Sequence, residues 1–87
     1  MTTMRERLRD MLEKLEQERD ELKVRAHLGK AEAREEWEKM EGRIAELRSR
    51  IDRAGDEAGD VMEDVGAAAK LLGEEIREGF ARIRKSL

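Results

Sequence analysis

The sequence predicts an all-α protein of the coiled-coil type, and three patterns predict it. Apolar residues recur at alternating spacings of three and four: Trp37, Met40, Ile44, Leu47, Ile51, Ala54, Ala58, Val61, Val65, Ala68 and Leu72. That repeat holds for about five heptads, the signature of helices that pack along their length. There is no proline, and strong helix formers dominate. Acids precede bases by four at Asp10–Lys14, Glu21–Arg25, Glu35–Lys39, Glu46–Arg50 and Glu78–Arg82, the favourable order on an exposed helical face.

The first helix is expected to start near residue 4, because Thr3-Met4-Arg5-Glu6 has the spacing of a capping box. Its inward residues are Met4, Leu8, Met11 or Leu12, Leu15, Leu22, Ala26, Ala33 and Trp37. Leu22 to Ala33 and Ala26 to Trp37 are each eleven positions apart. An eleven-residue period removes left-handed supercoil, so the chain reads as one nearly straight helix through this stretch, over 4–54. At 1.5 Å per residue that helix is roughly 75 Å long.

A turn is expected at 55–59, where Gly55 and Gly59 weaken the helix by about 1 kcal/mol each. Gly55 suits a helix end, and Asp56 or Asp60 suits the next start. A second helix is expected over 60–86. It carries one seam of Val61, Val65, Ala68 and Leu72 and a second of Met62, Gly66, Ala69, Gly73, Ile76, Phe80, Ile83 and Leu87. Folded back as an antiparallel hairpin, it would place Ile44 on Leu72, Met40 on Ile76, and Trp37 at Gly79 beside Phe80. Large residues then face small ones, as interdigitated cores prefer. Residues 4–26 would overhang with a leucine stripe uncovered, which calls for a second copy of the chain. The alternative is one continuous helical rod in a multi-stranded coil.

The expected core and interface residues are Leu8, Leu15, Leu22, Trp37, Met40, Ile44, Leu47, Ile51, Val61, Val65, Leu72, Ile76, Phe80 and Ile83. The chain has 87 residues, 47% of them charged and 2% aromatic, so it forms one small unit that is marginal alone. Its 19 bases and 22 acids are interspersed for a net charge of -3. No broad basic face emerges for nucleic acid, and base-stacking aromatics are lacking. No cysteine is present for disulfides or thiolate metal sites. No apolar run approaches a bilayer span, and the start lacks a signal-peptide core, so a cytoplasmic protein is expected.

No residue set reads as catalytic, cofactor-binding or metal-ligating, and the chain is expected not to be an enzyme. His27 is the sole histidine, and Lys23, Val24, Lys30 and Ala31 occupy the positions a second helical ligand would need. It reads as a surface or interface histidine. Ser49 and Ser86 have no histidine in register. Asp56, Glu57, Asp60, Glu63 and Asp64 lack the alternating oxygens and central glycine of a calcium loop. They read as a solvated helix start. Trp37 is in phase with Met40 and Ile44 and reads as packing.

The segment Glu21-Leu-Lys-Val-Arg-Ala-His-Leu-Gly-Lys-Ala-Glu-Ala-Arg-Glu-Glu-Trp-Glu-Lys-Met-Glu41 resembles small bacterial coiled-coil domain-containing proteins of no assigned activity. Gly66-Ala-Ala-Ala-Lys-Leu-Leu-Gly-Glu-Glu-Ile-Arg-Glu-Gly-Phe80 looks like their C-terminal part. The resemblance implies a bacterial source and transfers no site residues. The function expected is a homo-oligomeric scaffold or adaptor, self-associating as a homodimer or a tetramer or engaging another protein. The alternative is a reversible lipid-surface binder, for which Arg77, Arg82, Arg84 and Lys85 flank the C-terminal seam while Glu74, Glu75 and Glu78 offset them.

Overall fold

In the computed structural model, residues 3–53 and 60–87 are described, with side chains from 65 onward in the second segment. The chain is all-helical there: α1 (Met4–Leu28), α2 (Ala31–Arg53) and α3 (Asp60–Lys85). The turn expected at 55–59 and the side chain of Val61 lie outside the described residues.

The single helix expected over 4–54 is two helices, broken at Gly29-Lys30. Glycine is the weakest helix former after proline. Gly29 sits at the end of α1 with extended backbone, and its N–H donates to the Ala26 carbonyl. Arg34 Nη2 reaches back to the His27 carbonyl at 3.3 Å, satisfying an acceptor the helix end would leave bare. The eleven-residue spacings are therefore the interval across a tight turn. Leu22 and Ala26 lie buried on one side of it, Ala33 and Trp37 on the other. At the start of α1, Thr3 Oγ1 accepts from the Glu6 amide at 3.1 Å, the cap its spacing suggests.

Reversal at residue 29 changes what covers α1. Its leucine stripe packs inside its own chain, so the overhang that called for a second copy does not exist. The three helices contact one another pairwise. Ion pairs fix their directions. Arg48–Glu16 and Arg9–Asp52 tie α2 antiparallel to α1. Arg82–Glu36 and Arg43–Glu75 tie α3 antiparallel to α2. Met4 against Gly66 and Met11 against Gly73 show α3 parallel to α1. The result is an up-down-up bundle measuring 44 × 20 × 17 Å.

The core is apolar throughout: no polar or charged residue is buried among those described. Leu8, Leu15, Leu22, Trp37, Met40, Ile44, Leu47, Ile51, Leu72, Ile76, Phe80 and Ile83 are all in it, joined by Leu12, Ala26, Ala33 and Ala69. Val65 is half-buried. Full burial of a leucine- or phenylalanine-sized side chain contributes about 1.5–3 kcal/mol, so this layer is the main source of stability.

The α2–α3 register differs from the size-matched pairing. Met40 lies over Gly79, three residues beyond the Ile76 expected to face it. Heptad runs align equally well at several offsets, so periodicity leaves the register open. Trp37 turns instead toward α1. Its Nε1 donates to the Arg19 carbonyl at 3.1 Å. The His27 ring packs edge-on against it, with centroids 5.0 Å apart and planes at 72°. Indole needs a partner for its N–H when buried, and a mid-helix carbonyl of α1 supplies one.

Candidate functional site at the turn pole

The Gly29-Lys30 turn brings three chain segments together at one end of the bundle. The last turn of α1, the first turn of α2 and the end of α3 meet there. Leu87 Cδ2 would lie 3.0 Å from a Cβ placed on Gly29. Glycine thus allows the close approach of the chain's last side chain. Arg25, Leu28, Gly29, Lys30, Ser86 and Leu87 line a shallow depression of about 630 Å³. Ser86 Oγ is turned away into the backbone, donating to the Ile83 carbonyl at 2.9 Å.

Two properties set this pole apart. The first is apolar exposure. Among the described residues, four large apolar side chains stand outside the core: Val24 at 64%, Leu28 at 83%, Leu71 at 64% and, contrary to its expected place in the second seam, Leu87 at 42% exposed. Val24 and Leu28 are neighbours four apart on the outer face of α1, and Leu28 shares the depression with Leu87. Leu71 alone lies elsewhere, on α3. The second property is charge. Residues 22–34 and 79–87 hold Lys23, Arg25, Lys30, Arg34, Arg82, Arg84 and Lys85 against Glu32, while Asp20 and Glu21 stand four and three residues before Val24 on the same side of α1.

Part of that charge is engaged locally. Arg82 pairs with Glu36 at 2.9 Å and Arg84 with Glu18 at 3.7 Å. Lys23, Arg25, Lys30 and Lys85 are exposed and take no acid within ion-pair distance among the described residues. Cations in the last turns of α1 and α3 complement the negative helix ends. Lys30 lies between the negative end of α1 and the positive start of α2, two influences of opposite sign.

Away from the pole, Lys14, Lys39, Lys70 and Arg77 are likewise exposed without an ion pair among the described residues, while other charges pair across helices. The groove between α1 and α2 holds Arg9, Glu13, Glu16, Arg48 and Asp52 over Leu12 and Ile51. There the Arg48 guanidinium donates to Glu16 at 2.6 Å. That bond, then the Glu16 charge, raises the Arg48 pKa further above its usual value. A raised arginine pKa contributes stability fully present below the unfolded value and lost only in strong alkali, so this pair adds no pH dependence near neutrality. Of the spaced helical pairs, Glu46–Arg50 forms at 2.9 Å. Arg82 reaches across to α2 instead.

Of the residues weighed as chemical candidates, the side chains of Asp56, Glu57, Asp60, Glu63 and Asp64 lie outside the described residues, and His27, Trp37 and Ser86 take structural roles. His27 is exposed, and its Nδ1 lies 2.7 Å from the Lys23 carbonyl, the geometry of a donated hydrogen bond. Among the described residues no group of three or more His, Asp or Glu side chains converges as a metal site. No described helix is long and apolar enough to cross a membrane. Sequence reasoning missed the turn pole because Leu28 and Leu87 meet only after the chain reverses at Gly29. No family model matches the chain, and no curated protein or solved structure is significantly similar to it.

Proposed function

We propose that the chain is a non-enzymatic contact module, a scaffold or adaptor whose working surface is the turn pole. One observation carries this reading: of the four large apolar side chains left outside the core among the described residues, three gather there. Scattered surface leucines need no explanation, whereas a cluster left in water by an otherwise closed core marks a docking surface. The rest of the bundle supports it as a rigid holder. Its core is closed within one chain, and five ion pairs tie helix to helix around it. Self-association belongs to this reading through the pole, in place of the α1 stripe, which the chain covers itself.

The test is sedimentation equilibrium of the wild type and of a Leu28→Asp, Leu87→Asp double variant. Both substituted side chains are exposed, so the helical circular dichroism and thermal midpoint should hold. A wild-type homodimer that the double variant converts to monomer would support docking through the pole. An oligomer unchanged in the variant would move the working surface elsewhere, first to the Leu71 face of α3.

A further inference from the structure

We infer that the turn pole seats on an anionic bilayer surface, with the bundle intact and standing end-on. This rests on reading the pole as the working surface and names its partner. The argument is complementarity of two kinds at one place. Leu28 is the most exposed large apolar residue of those described, with Val24 beside it and Leu87 across the depression. Side chains of this kind gain by entering the boundary between headgroups and acyl chains. Arg25 and Lys30 line the depression with Leu28 and Leu87, and Lys23 and Lys85 lie near it in sequence, all four exposed and without acid partners among the described residues. Apolar tips beside cations match a surface that is oily below and negatively charged above.

A protein partner is favoured less. The pole is small and its depression shallow, formed where one turn meets one helix end, whereas stable protein docking asks for a broad fitted patch. Lys30 lies in the two-residue link between the negative end of α1 and the positive start of α2, so the helix dipoles act on it in opposite senses and leave its charge available to an anionic surface.

End-on seating differs from opening amphipathic helices onto the membrane. Opening would expose the Leu8–Leu22 stripe and release Trp37 from Arg19. End-on seating leaves Trp37 buried, with its N–H bond intact. The emission of the sole tryptophan therefore separates the two modes.

The experiment is co-sedimentation of the full chain with vesicles of phosphatidylcholine and phosphatidylserine, against vesicles of phosphatidylcholine alone. Trp37 emission is recorded in parallel. Binding to the anionic vesicles only, with Trp37 emission already blue-shifted in buffer and unchanged by lipid, is expected. Lys30→Glu and Leu28→Asp should each weaken that binding by about tenfold or more, since each basic residue near the surface contributes on the order of a fivefold factor. Lys14→Glu changes the same charge on the side of α1 and should leave binding within about twofold of wild type. Equal loss in Lys14→Glu would show attraction without a site and overturn the proposal. A lipid-induced shift of Trp37 would overturn end-on seating in favour of opening. No vesicle binding, with a homodimer that Leu28→Asp dissociates, rejects the bilayer and keeps the pole as a docking surface. No vesicle binding and no pole-dependent assembly rejects both.

Discussion

A methyl group added at Gly42, on the exposed face of α2, meets nothing within 4 Å. The same methyl at Gly79 would collide with the sulfur and neighbouring carbons of Met40, which is 1% exposed and hemmed in by the core. Replacing a mid-helix glycine by alanine gains about 1 kcal/mol of helix propensity. Overpacking a core costs about 1–3 kcal/mol. Gly42→Ala should therefore raise the urea midpoint, and Gly79→Ala should lower it. Equal shifts from both would mean that Met40 moves aside freely. At Gly73 the clash is with Met11, half-buried and nearer the surface, 2.7 Å from the added carbon at its sulfur. Met40 and Met11 fill the space that two glycines leave, a use suited to a flexible, unbranched side chain. The sequence placed Gly66 and Gly73 on one face seven apart, but which side chain each would receive depends on register, and heptad periodicity does not specify register.

At the scale of the elements, the break between α1 and α2 shows where legibility ended. All-helical structure, the start of α1 at Thr3 and the inward faces of all three helices follow from spacing and capping. The turn at Gly29-Lys30 does not stand out. No proline marks it, and α2 begins after Lys30, which has no side-chain oxygen to accept from the amides of the first turn. The remaining signals are Gly29 and the bases Arg25 and His27 in the preceding turn. Against them stood an apolar spacing that a straight helix satisfies equally well. The physical ambiguity is that eleven residues make about three helical turns, and a short reversal can span the same interval. The start of α2 is correspondingly improvable. Lys30→Ser supplies the missing acceptor and should stabilise the fold by about 0.5–1 kcal/mol, read as a higher urea midpoint. A midpoint that falls would show that the lysine stem contributes packing at the turn.

The whole molecule unfolds as one unit if its core is shared by all three helices. Leu47 is fully buried in a core with contributions from α1, α2 and α3. Leu47→Asp places an unpaired charge there, at a cost of several kcal/mol, against a total stability of roughly 5–15 kcal/mol for a small domain. Circular dichroism should report loss of most helical signal at room temperature. Retention of about two thirds of it would mean that two helices hold together without the third, contrary to a single cooperative unit.

Three helices are an odd number, and this decides where the chain's ends go. The first turn of α1 lies at one extremity of the bundle, with Arg9 beside Asp52 of the α2 terminus, and Leu87 lies at the other beside Gly29. The long dimension between the extremities is 44 Å, about four screening lengths at 0.1 M salt, where the Debye length is ~10 Å. Charges at the far extremity are electrically out of range of anything the Leu28 end touches. With the Leu28 end seated as proposed, the molecule would be a standoff, its far end free for a second contact that neither competes with the first nor feels its field.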